Sequence, residues 1–150
     1  MAQRRDILAN HKVCDLRVHA SQEVGAADQL TIDLMELSAS PGLYERTAKG
    51  LLIIEVSAIS GAGTLNIILE DSPDGTTYDA DFATLDEIDA TGLYVAVVDG
   101  INRYFNLAAT VAVGAVTWGA KFVGFEATRA PVKQTDATEL TTTYASDREG

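Results

Sequence analysis

Apolar and polar residues alternate with a period of two along much of the chain, which is typical of β-strands that bury one face. Three series show the alternation clearly: Leu30, Ile32 and Leu34; Leu65, Ile67 and Leu69; and Leu93, Val95 and Val97. A fourth run places Trp118, Ala120 and Phe122 on one face, so we expect Trp118 to anchor the interior. No sustained helical period of 3.6 residues interrupts these runs. The pattern therefore predicts an all-β fold.

Turn residues separate the predicted strands. Residues 72–75 (Ser-Pro-Asp-Gly) have the residue preferences of a type I turn. Residues 99–100 (Asp-Gly) and 114–115 (Gly-Ala) are predicted to be two-residue hairpin turns, and residues 61–63 (Gly-Ala-Gly) a further turn. The capping-box spacing of residues 84–87 predicts one short helical turn.

The apolar parity shifts near Gly124, because Val123 and Phe125 do not share the parity of Phe122. A glycine at such a shift favours a local irregularity in the strand. We therefore expect a β-bulge or a bend at Gly124.

Turns at this spacing, in a chain without a long helical pattern, indicate an antiparallel β-sandwich or jelly roll. Its 150 residues are the length of one ordinary domain. We assign residues 13–126 to the sandwich. Residues 1–12 and 127–150 lack sustained alternation and are expected to form N- and C-terminal arms.

Two predicted strands are apolar on both faces. They lie within residues 51–54 (Leu-Leu-Ile-Ile) and 93–98 (Leu-Tyr-Val-Ala-Val-Val). Because one face of each sheet in a two-layer sandwich looks outward, an apolar outward face implies that another subunit covers it. The alternative is that isolated apolar side chains are simply exposed, which is common.

Charge is very unevenly distributed. The chain has 11 Lys and Arg against 22 Asp and Glu, a net charge of -11, and residues 50–101 contain ten acids but no Lys or Arg. We expect this acidic middle third to form one negative, solvated surface. Nucleic-acid binders and binders of anionic membranes need cationic surface, so the charge disfavours both classes. No apolar stretch approaches the length of a membrane helix, which predicts a soluble chain.

The sequence contains no G-x-S-x-G, Walker A, H-E-x-x-H or C-x-x-C motif. His11, Cys14 and His19 are the candidates for a soft-metal site, but in an extended strand Cys14 faces away from both histidines. The acids of residues 71–89 raise the alternatives of a calcium site or a catalytic carboxylate pair, although residues 71–75 lack the spacing of an EF-hand loop. We therefore expect no enzyme activity, no metal and no cofactor.

Three segments resemble small virion proteins of tailed bacteriophages. They are residues 63–78 (Gly-Thr-Leu-Asn-Ile-Ile-Leu-Glu-Asp-Ser-Pro-Asp-Gly-Thr-Thr-Tyr), 92–94 (Gly-Leu-Tyr) and 101–105 (Ile-Asn-Arg-Tyr-Phe). In that group a strand ending in Glu-x-Ser-x-Asp-Gly, a second hairpin and an Arg-Tyr strand recur. Over residues 28–126 the chain resembles the jelly-roll capsid decoration, or cement, proteins. That resemblance implies a trimer on the outside of the head, at its three-fold positions.

The resemblance also implies two partners, the major capsid protein and further copies of the chain, in a trimer that stabilises the head by bridging capsomers. The expected location is the outer capsid surface, after assembly in the host cytoplasm. We hypothesise that an edge strand and one or both arms contact the shell, and that cationic side chains supply the contacts: Arg4, Arg5, Lys12, Arg129 and Lys133. Two alternatives remain open. One is a carbohydrate-binding or adhesive β-sandwich module, and the other is a head-tail joining or tail protein.

Overall fold

A computed structural model of the chain describes residues 12–33 and 49–125, and these form eight β-strands. The strands are β1 (Lys12–Gln22), β2 (Ala27–Asp33), β3 (Lys49–Ile59), β4 (Thr64–Ser72), β5 (Asp79–Thr84), β6 (Gly92–Asp99), β7 (Tyr104–Ala112) and β8 (Val116–Phe125). They build two antiparallel four-stranded sheets. We call the sheet with strand order β1-β8-β3-β6 sheet A, and the sheet with order β2-β7-β4-β5 sheet B.

The strand pairing is that of one long hairpin rolled into two layers. β1 pairs with β8, β2 with β7, β3 with β6 and β4 with β5, so the two halves of the chain run side by side. Rolling the hairpin adds the pairs β3–β8 and β4–β7. This connectivity is a jelly roll, and the predicted all-β antiparallel sandwich is confirmed.

One apolar core fills the space between the sheets. Its largest fully buried side chains come from both layers and include Leu52, Ile54, Leu65, Ile67, Leu69, Phe105, Leu107, Trp118 and Phe122. The rings of Phe105 in sheet B and Phe122 in sheet A lie 5.3 Å apart, centroid to centroid. Burial of each large apolar side chain stabilises the fold by about 1.5–3 kcal/mol, so inter-sheet packing is the main favourable contribution.

Trp118 is the inward anchor that the alternation predicted, and a buried polar cluster surrounds it. Its Nε1 donates a hydrogen bond of 2.8 Å to Oε1 of Gln22. The guanidinium of Arg17 lies 4.4 Å from the centre of the indole ring, and its Nε donates to Oδ2 of Asp28 at 2.6 Å. Because Arg17 belongs to β1 and Asp28 to β2, this ion pair joins sheet A to sheet B.

A β-bulge explains how Arg17 reaches the interior. The register of β1 against β8 shifts on both sides of Arg17, between Asp15 and Arg17 and again between Arg17 and Ala20. As a result, the consecutive residues Leu16 and Arg17 are both buried, which a regular strand does not allow.

Most of the predicted hairpin turns connect one sheet to the other instead. Residues 99–100 lead from β6 in sheet A to β7 in sheet B, and residues 114–115 lead from β7 back to β8 in sheet A, so both hairpin predictions are wrong. Gly100 has the positive φ angle of 71° that its turn requires. A tight reversal needs the same residue types whether or not its flanking strands pair. Among the consecutive strands described, only β4 and β5 pair, across the loop that begins with residues 72–75.

The predicted helical turn at residues 84–87 is also wrong. The N–H of Leu85 donates to the carbonyl of Ile67, and Ile88 exchanges two backbone hydrogen bonds with Leu65. These bonds hold residues 84–88 extended along β4, so no helical turn forms there.

The bulge predicted at Gly124 is absent, because β8 stays in register with β3 through the pair Gly50↔Gly124. Glycine is required instead at its partner Gly50, where an added Cβ would lie 2.4 Å from Cζ of Phe122. The Phe122 ring therefore occupies the space that a side chain at Gly50 would need.

No helix within the two described ranges is long and apolar enough to cross a membrane.

Replacing Arg17 with Ala should lower the free energy of unfolding by about 2 kcal/mol, because it strips Asp28 and the carbonyl of Trp118 of their partner. Urea denaturation measures the change. The matched control is Lys121→Ala, which breaks an exposed ion pair with Asp15 and should cost about 0.5 kcal/mol or less. Equal losses in the two variants would contradict a structural role for the partly buried pair of Arg17 and Asp28.

Candidate interaction surface

Sheet A turns an apolar surface away from the core. We call it the apolar face, although Glu55 and Lys121 lie among its residues. Its apolar side chains are Val13 of β1, Val123 of β8, Leu51 and Ile53 of β3, and Leu93, Val95 and Val97 of β6. The strand register aligns four of them as successive partners across the whole sheet, in the order Val13, Val123, Leu51 and Val97. The alternation that points their neighbours into the core points these residues outward.

Exposure on the apolar face is highest on β6. Leu93, Val95 and Val97 are 68%, 57% and 80% exposed. β6 pairs with β3 on one side, and no strand in the described ranges pairs with its other side. Natural edge strands are usually protected by a charge, a proline or a bulge. β6 contains no proline, and its one charged residue is Asp99 at its C-terminal end. An apolar surface that ends in an edge with so little protection is typical of a protein-protein contact.

The outer face of sheet B is mostly polar, although Ile68 of β4 is exposed on it, and its centre is hydrogen-bonded. The amide nitrogen of Asn106 donates to Oε1 of Gln29 at 2.6 Å and to Oε2 of Glu70 at 2.8 Å. Its amide oxygen accepts a hydrogen bond of 2.9 Å from the hydroxyl of Thr31. These bonds cross β2, β7 and β4, and they leave Asn106 only 3% exposed. The outer face of sheet A is therefore largely aliphatic, whereas the centre of the outer face of sheet B is a network of polar side chains.

A shallow depression of about 100 Å³, which we call the notch, interrupts the apolar face beside Gly119. Its lining residues come from all four strands of sheet A: Arg17, His19, Ile53, Glu55, Leu93, Gly119, Ala120 and Lys121. An added Cβ at Gly119 would lie 3.1 Å from Cα of His19, so the irregular part of β1 passes close over this glycine. The absence of a side chain at Gly119 makes room for the β1 backbone, and the notch lies beside this close contact.

The polar groups around the notch are paired, with one exception. Nζ of Lys121 lies 3.1 Å from Oδ1 of Asp15, and Nε2 of His19 shares a 2.6 Å hydrogen bond with the hydroxyl of Ser57. The exposed carboxylate of Glu55 makes no hydrogen bond or ion pair with any other described residue. The notch thus combines apolar walls with one carboxylate that has no partner in this structure.

The candidate soft-metal residues do not come together. Cys14 is buried in the core, whereas His19 is exposed on the opposite side of β1; His11 lies outside the described residues. Among residues 12–33 and 49–125, no three His, Cys, Asp or Glu side chains are placed to hold a metal ion.

The acidic middle third forms no single surface. Asp86, Glu87 and Asp89 lie in the β5–β6 connection, at the start of β4, whereas Asp74 lies in the loop at the other end of β4. Successive connections of the rolled chain alternate between the two ends of the sandwich, so they divide the charge. Asp71 is even buried, and accepts a hydrogen bond of 2.8 Å from the N–H of Asn102.

The carboxylate of Asp74 stabilises its own loop. Its Oδ1 accepts hydrogen bonds from the backbone N–H groups of Thr77 at 3.0 Å and Thr76 at 2.8 Å, and from the hydroxyl of Ser72 at 2.9 Å. Because these donors favour the charged form, Thr77 first, they lower the pKa of Asp74 well below its ordinary value. One oxygen of the Asp74 carboxylate thus holds the loop in its conformation.

The predicted contact residues Arg4, Arg5, Arg129 and Lys133 lie outside the described residues, as do the predicted arms apart from Lys12. Lys12 is the first residue of β1, and its backbone pairs with Gly124 near the end of β8. The described chain therefore begins and ends on neighbouring strands at one end of sheet A. Whether these cations contact a partner stays a prediction.

The notch and the unpartnered Glu55 were not found from the sequence. The alternation marked two strands as apolar on both faces, which is the signal for the apolar face itself. The notch depends on a bulge in β1 that brings residues distant in sequence together, and no local pattern reports it.

Comparison with solved structures supports the fold. The PBSX exported protein XepA matches with a TM-score of 0.55 at 14% identity, over 90% of this chain and 44% of XepA. The Yersinia pseudotuberculosis-derived mitogen matches with a TM-score of 0.42 at 9% identity, over 83% of this chain and 99% of the mitogen. A carbohydrate-binding module from Cellvibrio mixtus lichenase 5A matches with a TM-score of 0.33 at 10% identity, over 79% of this chain and 97% of the module.

The XepA match supports the β-sandwich architecture and not an activity. The chain shares the β-sandwich fold of XepA and spans less than half of XepA's length. No protein-family model matches the chain, and a search of curated proteins also found no match.

Replacing Asp74 with Ala should make stability less sensitive to acid. A carboxylate whose pKa is lower in the folded state stabilises the protein above its unfolded pKa of about 4, and this stabilisation disappears as the pH falls toward the folded pKa. The wild type should therefore exceed the variant in free energy of unfolding at pH 7, and the difference should shrink below about pH 4. Urea denaturation between pH 2.5 and pH 7 measures it. A difference that stays constant over this range would show that the carboxylate is not the responsible group.

Proposed function

We propose that the chain is a structural virion protein of a tailed bacteriophage, which decorates the outer capsid surface as a homotrimer and stabilises the shell by bridging capsomers. The observation that carries the proposal is the contrast between its two outer faces. Sheet B presents a mostly polar, hydrogen-bonded face, and sheet A presents the apolar face with the edge strand β6, whose one charged residue is the terminal Asp99. A protein that works by holding other polypeptides needs such a division.

The position of the chain ends fits a tethering role. β1 begins at Lys12 and β8 ends at Phe125, on neighbouring strands of sheet A, so the segments beyond them depart from one end of the sandwich. We assign to these segments the contact with the major capsid protein, through the cations at their two ends. In a trimer, the first contact raises the effective concentration of the other two at the shell. The overall affinity can therefore be high although each single contact is weak.

The XepA match supports a phage setting, because XepA is itself phage-derived. What it shares with this chain is the sandwich fold. Decoration, trimer formation and capsomer bridging belong to our proposal.

The alternative of a carbohydrate-binding module finds less support in the geometry. Sugar-binding sandwiches stack sugar rings on exposed aromatic side chains, a use that suits the amphipathic rings of Trp and Tyr. In the described ranges, the rings of Trp118, Phe105 and Phe122 are fully buried, and Tyr78, Tyr94 and Tyr104 are half-buried, whereas the exposed large hydrophobic side chains are all aliphatic. The exposed part of sheet A is aliphatic, which favours another polypeptide as the occupant.

Replacing both Val95 and Val97 with Lys should convert the trimer to a monomer, because both side chains are exposed on the apolar face and a lysine in a buried contact is costly. Light scattering coupled to size exclusion measures the molar mass. The control is Thr110→Lys, on the polar outer face of sheet B, which should leave the mass unchanged. A wild-type chain that is already monomeric at micromolar concentration would contradict the proposal.

The purified chain should co-sediment with empty heads assembled from the major capsid protein encoded nearest to its gene. Truncation after residue 126 and the double change Arg4→Glu and Arg5→Glu should each weaken that binding at least tenfold, if both ends contribute contacts. Both variants should keep the wild-type circular dichroism spectrum. Binding to glycans but not to heads would replace our proposal with the carbohydrate-binding alternative.

A further inference from the structure

We propose that residues 138–145 (Thr-Glu-Leu-Thr-Thr-Thr-Tyr-Ala) add a strand to sheet A of their own copy, along the edge of β6 that faces away from β3. We call this edge the β6 edge. The inference goes beyond the proposed function and does not depend on it. Arg129 and Lys133 precede the added strand, so they remain available to the capsid protein.

β6 is poorly covered on both faces. Only Val98 of its eight residues is buried, and the inward-facing Tyr94 and Ala96 are half-buried although they pack against the core. In the neighbouring β3, by contrast, the inward-facing Leu52 and Ile54 are fully buried. A strand added beside β6 would cover both of its rows of side chains, because cross-strand neighbours contact each other on both faces of a sheet.

The β6 edge is also the edge least protected against strand addition. In the described ranges the two sheets end at β1, β6, β2 and β5. Charged residues lie within three of these strands, such as Arg17 in β1, Asp28 in β2 and Asp81 in β5, and β1 is also bulged. β6 has only Asp99, at its end. The unpaired backbone groups of such an edge favour pairing with another extended segment.

The C-terminal segment starts at the correct end of β6 and is long enough to reach its edge. Lys49 pairs with both Phe125 and Asp99, so β8 and β6 end together on the two sides of β3. A segment that returns from Phe125 therefore runs antiparallel to β6, as neighbouring strands of sheet A do. It must cross three strand spacings, about 14 Å, and the twelve residues 126–137 extend to about 40 Å.

Residues 138–145 have the composition of a strand. They number eight, as β6 does, and they contain four Thr and one Tyr but no Pro or Gly. Thr and Tyr are enriched in strands. Leu140 and Tyr144 share one parity and therefore one face of an extended segment. Glu139 would give the new outer edge the internal charge that β6 lacks.

Tether length favours the same copy and the C-terminal segment. A linker of twelve residues keeps residues 138–145 near the β6 edge at about millimolar effective concentration, far above that of a second copy in micromolar solution. The N-terminal segment starts from Lys12 on β1 and must cross four spacings, about 19 Å. That crossing takes roughly six of its eleven residues, and the remaining five are too few to cover β6.

Amide hydrogen exchange, measured by NMR on the full chain, tests the inference. Successive N–H groups of an antiparallel strand point to opposite sides, so every second amide of β6 points away from β3. These amides should exchange at least tenfold more slowly in the full chain than in a chain truncated after residue 137. The amides of β6 that donate to β3 should change little and serve as the internal control. The truncated chain retains all eight described strands and should still fold.

A pair of proline substitutions separates strand pairing from the mere presence of the segment. Thr142→Pro combined with Thr143→Pro should abolish the protection as the truncation does, because one of two consecutive N–H groups faces β6 in any register. The matched control is Gln134→Pro combined with Thr135→Pro, in the connection, which should leave the protection unchanged.

Three results would overturn the inference. The first is fast exchange at the β6 edge in the full chain, and the second is protection that survives the truncation. The third is protection of an isotope-labelled truncated chain after it is refolded together with unlabelled full chain, because a second copy would then supply the strand. The truncated chain keeps Arg129 and Lys133, so its binding to capsid heads tests the proposed function separately.

Discussion

Contact between the inward faces of the two sheets holds this molecule together. The one cysteine, Cys14, is buried as a free thiol, so no disulfide links the layers. Phe105 and Phe122 meet across the gap between the sheets, and the ion pair of Arg17 with Asp28 joins the layers near Trp118. Every other feature depends on this packing, because a strand can present an apolar row outward only when its alternate residues are held inward.

That dependence explains how one sheet serves two purposes. In β3 and β6 the inward residues complete the core, while the outward residues build the apolar face. The outward residues of sheet B differ, because Asn106 at its centre forms hydrogen bonds with side chains of β2 and β4. A sandwich with one face for water and one face for a partner suits a protein whose task is attachment.

Much of the architecture could be predicted from the sequence, because strand alternation is a local property. The alternation correctly placed Leu65, Ile67 and Leu69 in the core, together with Trp118. It could not say which parity of residues 93–98 faces inward, since both are apolar. Tertiary contacts decided that point by placing Val98 in the core.

The wrong predictions have a common physical cause, because the residue types of a turn do not determine which strands pair. Residues 99–100 reverse the chain as expected, yet they join different sheets. The notch was invisible for the same reason, because it needs a bulge in β1 passing over Gly119. Strand order and bulge position are set by the whole core, so short motifs carry little information about either.

The adjacency of β1 and β8 has a mechanical consequence. Their free ends lie at the same end of sheet A, where Lys12 pairs with Gly124. A force that separates the two chain termini would pull β1 away from β8 starting at this pair. It would break the hydrogen bonds between the two strands one after another, and paired strands resist a force in this direction least. The apolar face, where many side chains share a load at once, would therefore resist tension better than the two chain ends.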